Sequence, residues 1–232
     1  MDCLKNAALF ERSFAIKPTR SHVVISGTGR AGTTFLIELL TCCGLDTGFN
    51  SNDILAHKDP IARAGLEHDI RNDSAPYIVK SPWFCDYAEN VLARDDIRLE
   101  HVLVPMRDLF AAAESRRYVQ AKQLSQLALL SRLSQWIQPQ TFPGGLWRTT
   151  HDEQQESILL HEIYKLTYAL SSHAVPVTLL QYPRIATDSV FLYKKIAFLL
   201  GKMSHAEFDS IFRETAREKL ISNFTVRKPN NA

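Results

Sequence analysis

The 232-residue chain reads as an α/β fold in three layers, a parallel sheet with helices on both faces. Three observations point there. Short continuous apolar runs recur, and a strand that is apolar without alternation is buried on both faces. Each run is followed by a segment with helical periodicity, which supplies the covering layers. The first run opens into a glycine-rich turn that starts a helix, as βα units in such sheets do.

The elements follow in order. His22 to Ser26 (HVVIS) is the first buried strand, and Thr33 to Cys43 is a helix apolar almost all round, with Gly44 as its natural stop. Residues 45–75 are polar and broken by Gly48, Asn50, Asn52 and Pro60, so they read as irregular. Tyr77 to Lys80 is a second short strand and Trp83 to Arg94 a helix. His101 to Met106 (HVLVPM) is a third strand, followed by a long helical pattern from Asp108 to Trp136. Pro139, Pro143, Gly144 and Gly145 then punctuate the chain, and a helix follows with Leu159, Ile163, Leu166 and Leu170 on one face. Pro176 to Gln181 (PVTLLQ) is expected as a fourth buried strand, before helices over Ser189–Leu200 and His205–Leu220 and a basic tail. One domain over residues 1–232 is the simplest division.

Composition narrows the function classes. A formal net charge of +2 is too small to argue for nucleic acid or an anionic membrane as the partner, although it leaves room for a local anion site. The four cysteines, Cys3, Cys42, Cys43 and Cys85, have neither a paired framework nor metal-ligand spacing, so a reducing, cytoplasmic setting without a bound metal is expected. The first residues lack the apolar core of a secretory signal, and no apolar run approaches the ~20 residues that span a bilayer.

The stretch from Gly27 to Thr34, GTGRAGTT, carries the chemistry. Gly27, Gly29 and Gly32 let backbone N–H groups converge on one point, and the helix opening at Thr33 adds oriented donors and the positive end of its dipole. Thr33 and Thr34 add hydroxyls, and Arg30 adds a forked cation suited to tetrahedral oxyanions. The Walker pattern fails only at its lysine, whose place Thr33 takes, while the cation stands three positions earlier at Arg30.

That arrangement resembles the 5′-phosphosulfate-binding loop of the sulfotransferase family, with a basic residue, a small residue, glycine and two hydroxyl residues in Arg30, Ala31, Gly32, Thr33 and Thr34. The arginine form looks most like carbohydrate-type and bacterial members. A second element of that family pairs an arginine at a strand end with a serine eight residues on, to hold the 3′-phosphate of 3′-phosphoadenosine 5′-phosphosulfate (PAPS); Arg107 and Ser115 match it. Tyr77 to Pro82 (YIVKSP) resembles the family's strand ending in a lysine, here Lys80. The run VTLLQYPRIATD resembles its late strand, with Tyr182 near the nucleotide, and Arg227 with Lys228 echoes the basic loop that closes over the 3′-phosphate. Pro229 stands where that loop usually has glycine.

The resemblance implies a P-loop NTPase-like sulfotransferase fold and PAPS as donor, leaving adenosine 3′,5′-bisphosphate. It implies sulfuryl transfer to a hydroxyl, or an amine, of a small metabolite or carbohydrate. Gly29 to Thr34, Arg107, Ser115, Tyr182, Arg227 and Lys228 would bind the nucleotide, and Lys80 would stabilise the leaving oxygen. Pro82 stands where many relatives keep a histidine, so the general base is sought among Asp53, His57, Asp59, Glu67 and His68, with Glu67 first and His57 second. Residues 45–75 and 137–152, with Trp83, Phe142 and Trp147, are the segments expected to shape the acceptor pocket. Two other readings stand beside this one: an ATP-dependent P-loop kinase with a displaced cation, and a non-catalytic nucleotide-binding relative.

Overall fold

A computed structural model describes residues 18–59, 64–127 and 140–216. Its sheet has four strands, β1 (Arg20–Ile25), β2 (Ile78–Lys80), β3 (Ile97–Met106) and β4 (Val177–Gln181), all parallel and in the order β2-β1-β3-β4. The helices are α1 (Thr33–Cys42), α2 (Phe84–Leu92), α3 (Leu109–Gln126), α4 (Gln155–Ser172), α5 (Ser189–Ile196) and α6 (His205–Thr215).

Side-chain alternation along each strand divides the core in two. Val23 and Ile25 of β1, Ile78 of β2, Leu103 of β3 and Leu180 of β4 face α1, α5 and α6. Val24, Val79, Val102 and Val104 point the other way, onto α2, α3 and α4. Both faces are thus covered, which is the three-layer arrangement that the apolar strands imply. Leu36, Ile37, Leu39 and Leu40 of α1 are fully buried, so burial encloses much of this helix. It stops at Gly44 (φ +77), where Leu45 N–H bonds to Leu40 C=O and Gly44 N–H to Thr41 C=O, a Schellman closure.

Several boundaries differ from the sequence reading, each for a physical reason. β3 begins at Ile97, four residues earlier than expected: its polar first half pairs its backbone with Arg20–His22 of β1 while its side chains stay partly solvated. The long helix from Asp108 ends at Gln126, because Leu127 is extended (φ −70, ψ 146); residues 128–136 of the expected helix lie outside the described residues. The last helix ends at Thr215, with Ala216 extended, and residues 217–220 of the expected helix lie outside the described residues; the fifth ends at Ile196. β4 is not fully buried. Among the described residues it pairs only with β3, so Val177 is 37% and Leu179 53% exposed, while Leu180 on its other face is buried. The described residues of 45–75 are irregular as expected, relieved by a 3-10 turn at Ile54–His57.

The strand order places the site. Chain leaving β1 crosses to β2 on one side, then returns past β1 to β3 on the other. The loops after β1 and β3 therefore flank the reversal in strand order, where parallel sheets open a crevice at their carboxyl ends. No helix among the described residues is long and apolar enough to cross a membrane.

Candidate functional site

The loop after β1, residues 27–32, is a chain of left-handed turns: Gly27, Gly29, Arg30 and Gly32 all have positive φ. Arg30 (φ +55) is the one that lacks a glycine's freedom, a conformation costing about 1–2 kcal/mol that the surrounding contacts must hold. Gly32 is the N-cap of α1; it carries no side chain to satisfy the first-turn amides, and that turn holds no acidic residue. Gly32 is also required by closeness, since a Cβ there would lie 3.0 Å from Tyr182 Cδ2 and Ile185 Cδ1.

The two sequence motifs meet here. Arg30 Nε donates to Ser115 Oγ at 3.1 Å, and Arg107 Nη1 donates to the Arg30 carbonyl at 3.0 Å. Asp108 caps α3 by accepting from Ala111 N–H at 2.9 Å, which fixes the helix that carries Ser115. The Arg107 guanidinium lies 5.1 Å from the centre of the Tyr182 ring, so Tyr182 joins the same wall. Burial raises the Tyr182 phenol above its ordinary pKa and lowers Arg107 below its own. Ala31 and Thr33 are buried within the loop.

Lys80 ends β2 beside the start of α1 and is only 1% exposed. Its ammonium donates to Thr34 Oγ1 at 3.0 Å, to Glu67 Oε1 at 2.7 Å and to the Gly65 carbonyl, so all three protons are used. Burial is the first cause that lowers its pKa; Glu67 pulls it back up, and Lys58 and Arg30 push it further down. Glu67 thus lies against the lysine, its side chain 22% exposed, with Oε1 also accepting from Gly65 N–H at 3.2 Å. Its Oε2 has no hydrogen bond among the described residues.

The other base candidates are placed differently. His57 is exposed and packs its ring against Phe49 at 5.7 Å; no hydrogen bond or ion pair joins it to Lys80 or the loop. His68 stacks on the same Phe49 at 4.7 Å, and its Nε2 is buried without a partner. Burial holds His68 below the usual histidine pKa. Asp53 is exposed. Arg227 and Lys228 lie outside the described residues.

Arg116 was not anticipated by the motif reading. It is 6% exposed, donates Nη2 to the Thr28 carbonyl and Nη1 to the Gly145 carbonyl at 2.8 Å, and stacks 5.0 Å from the Trp147 ring centre. Its Nε has no partner, and no carboxylate pairs with it among the described residues. Burial, then the charge of Arg30, push it down to about 9. The signal was in the helical period: Arg116 stands one turn after Ala112 and one before Val119 and Gln120, all on the buried face of α3.

Residues 140–147 are held by side chains rather than by a ladder. Gln120 accepts from Phe142 N–H at 3.1 Å and Leu146 N–H at 3.3 Å, and donates to Gln140 C=O at 2.7 Å. Gln123 donates to Pro143 C=O at 3.3 Å, and Gln155 accepts from Trp147 N–H at 2.7 Å. Trp147 is 8% exposed and belongs to the core, whereas Trp83 is 50% exposed and Phe142 is half-buried. A cavity of about 380 Å³ borders this segment, lined by Arg117, Gln120, Leu124, Gln140, Leu146 and Asp152.

One other polar cluster stands apart from the loop. Cys85, Asp86 and Glu162 bring three ligand-type atoms within 4.8 Å of one another. Arg148 already pairs with Asp86 and, at 3.0 Å, with Glu162, while burial pushes the Cys85 thiol up to about 12. The cluster is an ion-paired tie between α2 and α4.

Neither the protein-family models nor the curated proteins with which the chain was compared give a match.

Proposed function

We propose that this protein is a sulfotransferase that takes a sulfuryl group from PAPS and passes it to a hydroxyl, or an amine, of a small metabolite or carbohydrate. The observation that carries the reading is the meeting of two motifs 77 and 85 residues apart: Arg107 on the Arg30 carbonyl and Ser115 on the Arg30 side chain. A loop built for one phosphate would not need the second grip. The residues present fit such a donor, because the half-buried Arg30 and Arg107 and the buried Arg116, which no carboxylate pairs among the described residues, gather positive charge around an uncapped helix start. On this reading the chain has the sulfotransferase variant of a P-loop fold.

The bound donor supplies an activated sulfuryl group on a phosphate leaving group. The amides of residues 29–34, the Arg30 guanidinium and the hydroxyls of Thr33 and Thr34 hold the 5′ end, and Arg107 with Ser115 holds the 3′-phosphate. Tyr182 walls the nucleotide. Lys80, anchored on Thr34, places a positive charge where the departing oxygen becomes negative. Glu67 takes the acceptor's proton on Oε2 while Oε1 remains beside the ammonium. The segment 140–152, with its cavity, is where the acceptor is read.

Calorimetry with adenosine 3′,5′-bisphosphate, ADP and ATP with Mg²⁺ tests the donor. The bisphosphate is expected to bind best, and Arg107→Ala to weaken it roughly tenfold to hundredfold, as the loss of one charged hydrogen-bond partner does. A preference for ATP with Mg²⁺ would turn the assignment to a kinase. Bisphosphate binding without sulfuryl transfer in an acceptor screen would leave a nucleotide-binding relative.

A further inference from the structure

We infer that Arg116 is a positioning residue for the anion loop: from beneath, it fixes the Thr28–Gly29 peptide with its N–H turned into the cradle, and ties that peptide to the segment at Gly145. The inference rests on the anion-loop reading but not on the identity of the donor.

The geometry comes from one guanidinium with two carbonyl partners, Thr28 and Gly145, on residues far apart in sequence. The peptide after Thr28 is trans, so its C=O and N–H point in opposite directions. Holding the carbonyl against Arg116 therefore sends the Gly29 N–H away from α3, toward the space enclosed by the loop. Arg107 does the same to the next-but-one peptide by holding the Arg30 carbonyl, which turns the Ala31 N–H away from that side. A carbonyl bonded to a cation is polarised, and its own amide becomes a stronger donor. The two arginines thus preset both the direction and the strength of loop amides before any anion arrives.

Gly29 records the same contact in sequence. A Cβ at this position would lie 2.7 Å from Arg116 Nη2, so the residue above the guanidinium has no room for a side chain. The stack on Trp147 and the bond to Gly145 carry the coupling onward, because residues 140–147 are bonded to α3 through Gln120 and Gln123. Arg116 touches no reacting atom; it acts through the backbone of residues 28 and 29.

The test compares wild type with Arg116→Met, Arg116→Lys and, as a control on an ion pair before the start of β3, at the other end of the strands from the loop, Arg94→Met. Backbone amide chemical shifts of Gly29 and Leu146, whose peptides carry the two carbonyls that Arg116 holds, are read without ligand. Affinity for inorganic pyrophosphate and for adenosine 3′,5′-bisphosphate is read by calorimetry. Arg116→Met is expected to move both amides together and to weaken pyrophosphate at least tenfold. Arg116→Lys, which can hold only one carbonyl well, should restore one amide and part of the affinity; Arg94→Met should move neither. Should Arg116→Met fail to fold, Arg116→Lys carries the same readings. Unmoved Gly29 and Leu146 amides, or pyrophosphate affinity within twofold of wild type in a folded Arg116 variant, overturns the inference. A wild-type protein that binds pyrophosphate but not the bisphosphate removes the PAPS reading while the Arg116 coupling stands on the same data. One that binds neither anion overturns both.

Discussion

The Lys80–Glu67 pair allows a prediction worked from its geometry. At 2.7 Å, and with the effective dielectric of about 20 that suits protein sites, the gross attraction is about 6 kcal/mol. Desolvation of an ammonium that is 1% exposed offsets several kcal/mol of this. Glu67→Gln keeps an amide oxygen for Lys80 but removes the opposite charge, so a net loss of about 2 kcal/mol is expected, within the usual range for a charged hydrogen bond. For a chain of this size that is a fall in melting temperature of about 4–8 °C. The pH dependence identifies the cause. Burial lowers the Lys80 pKa in the fold, so between that value and the ordinary lysine value near 10.4 the unfolded chain binds more protons and stability from this group rises with pH. Removing Glu67 takes away the contribution that raises the folded pKa, so the window opens at lower pH in the variant. Its deficit is therefore largest below the lowered Lys80 pKa and shrinks as the pH rises through it. Denaturant unfolding of both proteins at pH 7 and pH 9 measures this. A deficit under about 0.5 kcal/mol at both values, as for a solvent-screened surface pair, would refute the argument.

Other consequences follow from the same contacts. Gly29→Ala should cost about 1–2 kcal/mol for its left-handed backbone alone, and more for the Cβ against Arg116; in the double variant with Arg116→Ala the two costs should fall short of their sum, as read by a double-mutant cycle in urea. Cys85, 4% exposed and with its thiol pushed up to about 12, should resist alkylation by iodoacetamide in the native protein at pH 8, and react only on unfolding. Rapid native labelling of Cys85 would show that α2 and α4 separate locally. If Glu67 is the base, Glu67→Gln should keep bisphosphate binding and lose turnover; full activity would move the base elsewhere.

The architecture was legible because its strands are unbroken apolar runs, and only a doubly covered sheet hides both faces of VVI and HVLV. What local pattern could not supply was pairing. The polar start of β3 becomes strand only because β1 lies beside it, and β4 looks fully buried in sequence although it pairs with a single neighbour. Arg30, Arg107 and Ser115 were legible as motifs, and their convergence follows from the strand order. Lys80 and Glu67 were each named from sequence, but their pairing across the irregular stretch before β2 depends on a loop path that no periodicity encodes. Arg116 was hidden by its type: a cation next to a second arginine reads as solvated face, and only the 3.6-residue period shows it turned inward.

The glutamine-bonded segment at 140–147 has a consequence for how such a protein diversifies. Gln120, Gln123, Gln155 and Arg116 recognise the amides and carbonyls of that segment, which every amino acid but proline carries. Most of its side chains are thereby released from the duty of keeping their own backbone in place. Exchange of Thr141 or Phe142 can alter the surface of the segment without disturbing the helix that holds it. Gly145, where a Cβ would run into Gln120, and the buried Leu146 and Trp147 are the exceptions. On the sulfotransferase reading proposed above, selectivity for an acceptor can drift on such a strap while the loop beneath it stays constant.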